Sequence, residues 1–338
     1  MHLNPLLVFF LFLGILLVSL LLSLSLGGVS VPLGDVWGIL VGSIFFNEVD
    51  PTISKGHQAI VWELRFPRSL LAAIVGSGLA IVGVTLQSLT RNYLADPHLL
   101  GISAGGAFGA ILALLHVGFI FGQITVPLFA FLGAVMTTGL VLWLSIVTHS
   151  FSASRLVLIG VAVSFVVMAF SNVLIFLGDS RATHTVVFWM LGGFGIATWN
   201  VIPITLLALL ICFVYFMFNS GNLNAMTVGD ETASTMGIPV FRFRLIAFVV
   251  GAFLTGVLVA YSGIIGFVGL MVPHIARFLV GGSNFRVLPI SAMIGAVFLL
   301  LCDLLSRILF APQEIPVGIV TGLIGGVFFI WLLANKRN

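Results

Sequence analysis

Residues whose side chains could carry out chemistry are sparse in this sequence, which has 10 acidic residues, 7 histidines and 2 cysteines among 338 positions. No H-E-x-x-H pattern is present, and the histidines lack the spacing of metal ligands on one helix. A phosphate-binding loop needs G-x-x-x-x-G-K-[ST], but the lysines Lys55 and Lys336 are followed by Gly56 and Arg337. The sequence therefore predicts no catalytic site, no bound metal and no cofactor on this chain. Any ATP hydrolysis would occur on another chain.

A few polar residues lie inside apolar runs. Asp303 is followed by Arg307 at a spacing of four, which allows an ion pair on one helix and predicts a structural pair rather than a proton relay. His274 is interpreted as a hydrogen-bonded packing residue. Cys212 and Cys302 form no C-x-x-C pair and are interpreted as packing residues as well.

The scaffold that must position these groups is largely apolar. Hydrophobic residues make up 60% of the chain and charged residues 7%, too few charges to cover a soluble domain. Apolar runs of about 20 residues recur, the length needed to cross a bilayer, and two-residue alternation is absent. The sequence predicts an all-α, polytopic integral membrane protein, one domain over residues 1–338 with about ten transmembrane helices. The predicted helices span 5–26, 68–89, 99–117, 126–148, 156–177, 200–218, 244–262, 264–280, 288–309 and 315–333.

Basic residues indicate the orientation of these helices. With both termini in the cytoplasm, eight of the 13 lysines and arginines fall on the inner face and five on the outer face. This distribution predicts a multi-pass protein with both termini in the cytoplasm. Residues 27–67 are expected on the outer surface, and residues 219–243 form the longest polar stretch on the inner face. No basic cluster suggests a nucleic-acid partner; the bilayer lipid is the expected surroundings.

Within residues 219–243, positions 229–239 predict one short helix. Asp230 and Glu231 suit its positive N-terminal end, Gly237 can adopt a left-handed stop conformation, and Pro239 prevents continuation. The residues alone leave two interpretations open, a docking helix for a cytoplasmic partner or an ordinary connecting loop.

Glycine is frequent, at 38 residues, and recurs at every fourth position in two spans. The series Gly101, Gly105, Gly109 and the series at positions 318, 322 and 326 each put glycine on one helical face. Such faces predict close helix packing, with a dimer contact or pore wall as the alternative.

Four separated motifs resemble those of one transporter family. They are L-R-F-P-R at 64–68, L-Q…R-N-Y-L-A-D-P…L-G-I-S within 86–103, G-I-I-G-F-V-G-L-M-V-P-H-I-A-R at 263–277, and E-I-P-V-G-I-V-T at 314–321. The chain thereby resembles the permeases of ABC importers for ferric siderophores, haem and vitamin B12, a family with molybdate and tungstate members. Two positions differ from the usual family pattern: Tyr93 stands where proline is common, and Ser234 where arginine is common.

The resemblance implies a type II ABC importer permease fold in the bacterial inner membrane and a homodimer with the transport pathway between its subunits. It also implies two cytoplasmic ATPase subunits, which would hold ATP and Mg, and a periplasmic substrate-binding protein. The 219–243 segment would be the coupling loop. Its contact residues would be Asp230, Glu231, Thr232, Ala233, Ser234 and Gly237.

At the outer face, the resemblance assigns Arg65, Arg68 and Arg307 to docking of the binding protein, as exposed arginines that accept acidic residues. The alternative is that these arginines only mark the membrane edge. Ser152 and Ser154 lie where the family closes its cytoplasmic gate.

The expected function is passage of a metal-containing substrate by alternating access, driven by the separate ATPase. The substrate is left open between an iron-siderophore, haem or cobalamin chelate and a molybdate or tungstate oxyanion. The alternative function is a stand-alone secondary transporter or facilitator.

Overall fold

The computed structural model describes residues 3–46, 48–97, 101–148 and 153–335; within these ranges the chain forms helices and short connections, and no strand. In chain order the helices are α1 (Pro5–Ser25), α2 (Leu33–Val41), α3 (Lys55–Gln58), α4 (Phe66–Thr90), α5 (Ile102–Leu112), α6 (Thr125–Val147), α7 (Ala153–Leu177), α8 (Ser180–Met190), α9 (Val201–Phe218), α10 (Ser220–Val228), α11 (Asp230–Thr235), α12 (Val240–Ser262), α13 (Val268–Val280), α14 (Asn284–Ile308) and α15 (Val317–Asn335). Wider π-helical turns extend α2, α3 and α5 at Gly42–Phe46, Ala59–Arg65 and Ala113–Val117.

The ten predicted transmembrane segments correspond to α1, α4, α5, α6, α7, α9, α12, α13, α14 and α15. Seven helical segments in the described part of the chain are long and apolar enough to cross a membrane unaided. The remaining three, α5, α13 and α15, contain shorter apolar stretches. The all-α, polytopic fold class is confirmed.

The second spanning helix begins earlier than predicted, because the helix continues through Pro67. Helical structure runs without a break from Lys55 to Thr90. Proline lacks an N–H and its ring clashes with the preceding turn, so it interrupts regular helix hydrogen bonding beyond the first turn. Here the N–H of Phe66 bonds to the carbonyl of Val61, five residues back. We attribute the tolerance of Pro67 to this widened turn.

Helix α4 lies at the centre of the bundle. Of its apolar window, 83% is buried, against 17% for the windows of α1 and α7. Its close contacts depend on glycine: a methyl group on Gly76 would lie 2.0 Å from the carbonyl oxygen of Gly295 in α14. A methyl group on Gly83 would lie 2.1 Å from the carbonyl oxygen of Gly269 in α13. The backbones of α4, α13 and α14 therefore meet directly, as expected where small residues let helices approach.

The two predicted glycine series differ in their surroundings. Methyl groups on Gly105 and Gly109 would lie 2.3 and 1.9 Å from backbone oxygens of α6, so the first series is a helix contact within the chain. In the second series, only Gly318 is crowded, by the carbonyl oxygen of Leu191 at 2.2 Å. Positions 322 and 326 have open space where a side chain would be.

Several short helices were not predicted. Residues 27–67 contain α2 and α3, and the 219–243 segment contains α10 before the expected short helix. Helix α8 is only 11 residues long, too short to cross a bilayer. It packs through the fully buried Val186 against Ala107 and Ile111 of α5.

Candidate functional site

Helix α4 connects two polar clusters at opposite ends of the bundle. It begins beside Arg65 and Arg68, near Arg307, and we call this the arginine end. It ends at Arg91, whose Nη1 atom lies 3.6 Å from where a methyl group on Gly229 would be. We call this second region, which includes α11, the α11 end.

Two glycines delimit α11. Gly229, with φ +153°, precedes its first residue, and Gly237, with φ +81°, follows its last turn. The N–H of Gly237 donates to the carbonyl of Ser234 at 2.9 Å, and the N–H of Ile238 donates to the carbonyl of Ala233 at 3.1 Å. These bonds satisfy carbonyls that a helix end leaves free, and the left-handed conformation suits glycine. The predicted short helix and its glycine stop are confirmed.

The six residues predicted for ATPase coupling lie together but face different ways. Ala233 is fully buried and holds α11 against the bundle. Asp230 is half-buried and accepts a hydrogen bond from the buried Arg244 at 2.6 Å. These two residues therefore anchor the helix. The side available to a partner consists of Glu231, Thr232, Ser234 and Gly237.

Two further residues of this region were not predicted. Arg244 was counted only as an inner-face cation, although it fixes the position of Asp230. Met236, with 66% of its surface exposed, adds an apolar contact to the available side. The exposed surface of α11 thus carries one negative charge, at Glu231, together with hydroxyl groups and a thioether.

At the arginine end, Arg65 is buried within the chain. Its guanidinium donates to the carbonyl oxygens of Leu24 at 2.7 Å, Ser25 at 3.0 Å and Val29 at 2.5 Å. Only 7% of the residue is exposed. Since the last carbonyls of a helix lack partners within that helix, Arg65 satisfies the C-terminal end of α1.

Arg307 has a similar position. It is 4% exposed, donates to the carbonyl of Ser23 at 3.1 Å and to its hydroxyl at 2.6 Å, and lies 3.1 Å from the carboxylate of Asp303. The predicted pairing of Asp303 with Arg307 is confirmed. The expectation that all three arginines are exposed is wrong: Arg65 and Arg307 are buried beside backbone and carboxylate oxygens of the chain, and the side chain of Arg68 is only 15% exposed.

Arg68 differs from the other two arginines. Its Nε donates to the fully buried carboxylate of Asp303 at 2.8 Å, while its Nη1 donates to Glu314 at 2.7 Å. The side chain of Arg68 is 15% exposed and that of Glu314 51% exposed. Of the three arginines assigned to docking, Arg68 is the one whose partner lies at the surface.

Arg68 and Glu314 also border a cavity of about 350 Å³. The loop after α8, the C-terminal end of α12 and the start of α15 form its walls. These walls are joined by backbone bonds: Gly193 donates to the carbonyl of Ser262 at 2.8 Å, and Val317 to the carbonyl of Gly192 at 3.0 Å.

Comparison with known proteins identifies the family. Residues 15–335 match the FecCD transport family. The chain belongs to this family. It is 35% identical over 96% of its length to the vitamin B12 import system permease BtuC of Klebsiella pneumoniae, covering 92% of that protein. It is 34% identical to the hemin transport system permease HmuU of Yersinia pestis, with 97% and 95% of the two chains covered.

A solved structure agrees with this assignment. It is described as an inward-facing conformation of a metal-chelate type ABC transporter and superposes with a TM-score of 0.83 at 30% identity, covering 97% of this chain and 98% of that one. The protein is therefore a transmembrane permease subunit of an ABC importer, with an all-helical fold shared across its length.

One polar network of this FecCD-family permease was not predicted, although its residues lie in the family motifs. Gln87 accepts a hydrogen bond from Arg277 and donates to the carbonyl of Gly269 at 3.1 Å. The guanidinium of Arg277 lies 5.1 Å from the centre of the Tyr93 ring, and that ring meets His274 edge-on at 6.3 Å. Tyr93, which departs from the usual family proline, thus supplies a cation–π partner to Arg277.

The predicted gate residues are Ser152 and Ser154. Ser152 lies outside the described residues, and Ser154 falls within the first turn of α7. Within the described residues, no three His, Cys, Asp or Glu side chains group together as a metal site would require. Both cysteines are buried and free.

Proposed function

We propose that this permease imports a metal chelate of the haem, cobalamin or ferric-siderophore type. Two separate ATPase subunits, holding ATP and Mg, power the transport, and a periplasmic binding protein delivers the substrate. Support comes from similarity over nearly the whole chain to permeases named for vitamin B12 and hemin, and to a metal-chelate type transporter. A molybdate or tungstate oxyanion is the alternative cargo.

The α11 end is the proposed contact with the ATPase and hence the cytoplasmic face. Its short helix is held from behind by Ala233 and by the Asp230–Arg244 pair, while Glu231, Ser234 and Met236 are exposed. A helix that is anchored on one side and exposed on the other can transmit the movement of a bound partner to α12. Glu231 favours a basic or hydrogen-bond-donating surface on the ATPase.

Both termini are proposed to lie on this same cytoplasmic face. The N–H of Leu3, just before α1, donates to the carbonyl of Leu279 near the end of α13. Helix α13 returns to the α11 end after α12 has crossed to the other face. Helix α15 starts near Arg68 and so also runs toward the α11 end. The distribution of basic residues supports placing this end in the cytoplasm.

A homodimer contact is proposed along α15. A methyl group on Gly322 or Gly326 would meet nothing within 4 Å in the described chain, and Leu323 and Val327 beside them are 67% and 68% exposed. Small residues one turn apart on a membrane helix allow a second helix to approach closely. A second copy of the chain fits this face.

Purification and reconstitution test the proposal. The tagged chain, taken from native membranes in mild detergent, should recover an ATPase with a complete phosphate-binding loop. Proteoliposomes of the complex are then assayed with cyanocobalamin, haemin, a ferric hydroxamate and molybdate, with and without ATP. ATP-dependent uptake of one chelate supports the proposal; uptake of molybdate alone would replace the chelate by the oxyanion.

A charge reversal shows whether α11 carries the contact. Glu231→Lys should lower the amount of co-purified ATPase several-fold, because it reverses the one charge on the exposed side of the helix. Glu63→Lys, the same change at an exposed site toward the arginine end, should leave recovery unchanged.

In the uptake assay, transport by the chain alone, without ATP, would instead establish a secondary transporter.

A further inference from the structure

The ion pair between Arg68 and Glu314 joins a buried charge cluster to a surface loop. Asp303 is completely buried between Arg68 and Arg307, so loss of either arginine would remove one of the two positive charges that offset its carboxylate in the interior. Glu314 has no such restriction, because half of its side chain already contacts solvent. Glu314 is thus the replaceable member of the cluster.

The charge balance leaves this cluster attractive to a further anion. Three arginines, Arg65, Arg68 and Arg307, face two carboxylates, Asp303 and Glu314, so the cluster has a net charge of +1 with Glu314 in place (3 − 2). Without Glu314 the net charge is +2. Arg65 and Arg307 are only 7% and 4% exposed and already donate to buried carbonyl oxygens. Any incoming carboxylate therefore meets Arg68.

Glu314 also belongs to a wall of the cavity at the arginine end. It lies in the connection between α14 and α15, where Ile315 donates to the carbonyl of Ser306 at 3.1 Å. Two residues further on, Val317 bonds to the loop after α8. The salt bridge to Arg68 ties this connection to α4, on the other side of the cavity mouth.

The geometry points to an exchangeable ion pair: Glu314 occupies Arg68 and keeps the inner part of this half-open cavity, at Ser262, closed until a carboxylate of a docking protein replaces it. This inference rests on the proposed function, which supplies the docking protein. Docking and opening become one event, because the docking protein binds the same Arg68 guanidinium that Glu314 releases. Arg68 keeps its bond to Asp303 throughout, so the buried carboxylate stays paired while the surface partner of Arg68 changes.

Cysteine labelling in proteoliposomes of the permease tests the closing role. Ser262 lines the cavity, is 2% exposed, and differs from cysteine by one atom, so Ser262→Cys reports opening through its reaction with a water-soluble maleimide. Adding Glu314→Gln should raise the labelling rate about two- to fivefold, the range for loss of a half-exposed ion pair. The buried native cysteines give the background rate.

A matched control is Glu63→Gln, which removes the same charge from an exposed residue near this end. It should leave labelling of Ser262→Cys unchanged. Ile196→Cys, at the exposed rim of the cavity, should react equally fast in every background. An unchanged rate in Glu314→Gln, or an equal rise in Glu63→Gln, overturns the closing role.

The exchange itself is tested with the binding protein captured alongside the complex. Glu314→Gln should tighten its affinity, because Arg68 no longer has an internal competitor, whereas Glu63→Gln should not. Equal or weaker affinity in Glu314→Gln overturns the exchange. Failure to recover an ATPase or binding protein with the wild-type chain counts against the proposed function instead, since the labelling experiment needs neither partner.

Discussion

Replacing Gly237 by alanine isolates the backbone conformation that ends α11. Gly237 has φ +81°, while a methyl group added there would meet nothing within 4 Å. The cost is therefore conformational rather than steric contact with neighbours. Placing an alanine in the left-handed region costs about 1–2 kcal/mol, and the lower entropy of the open chain offsets about 0.4–1 kcal/mol of this. The net loss of about 1 kcal/mol corresponds to about a fivefold increase in local opening of α11.

Hydrogen exchange followed by mass spectrometry measures this opening. The amides of Met236, Gly237 and Ile238, which close the end of the helix, should exchange about fivefold faster in Gly237→Ala. Gly221→Ala is the matched control, because Gly221 also has open space around it but lies inside α10 with an ordinary helical φ. Unchanged exchange in Gly237→Ala, or equal acceleration around α11 in both variants, would refute the argument that the left-handed glycine defines this helix end.

Two further predictions concern glycines on spanning helices. Gly76→Ala should destabilise the protein by about 1–3 kcal/mol, since its methyl group would press on a carbonyl of α14 and force the two helices apart. Thermal unfolding in detergent should show this loss, with Gly139→Ala, an exposed open site on α6, as the neutral comparison. Gly322→Leu should convert the proposed dimer to monomer in cross-linking and light-scattering measurements, whereas Gly139→Leu should leave it dimeric. A dimer that persists in Gly322→Leu would rule out the α15 contact.

The helices were predictable because membrane insertion imposes a simple rule on sequence. Twenty apolar residues in a row have few alternatives to a spanning helix. The rule fails where a helix need not span: α8, with Thr, His and Arg among its residues, gives no such signal. The predicted start of the second span, residue 68, is also too late, because a widened turn carries the helix through Pro67.

The candidate sites were predicted in location but only partly in exposure. The short α11 helix follows from local residues, since glycine, proline and acidic residues act within a few positions. Arginine at a membrane edge suggests an exposed charge, and near Arg307 only the spacing to Asp303 indicates an internal partner. The carbonyl oxygens that accept hydrogen bonds from Arg65 and Arg307 lie 41 and 284 residues away, at Leu24 and Ser23. Partners at such distances cannot be deduced from spacing.

These separations also determine the order in which the end of α1 can be completed during synthesis. Arg65 emerges soon after α1, so it can satisfy Leu24 and Ser25 while the next helix enters the bilayer. Arg307 is made only after eight of the other spanning helices. It arrives on the same helix as Asp303, four residues away, so these two charges enter the membrane already opposed. A chain that stops before α14 lacks the second donor to α1, so a helix that begins only at residue 284 is needed to complete the first one.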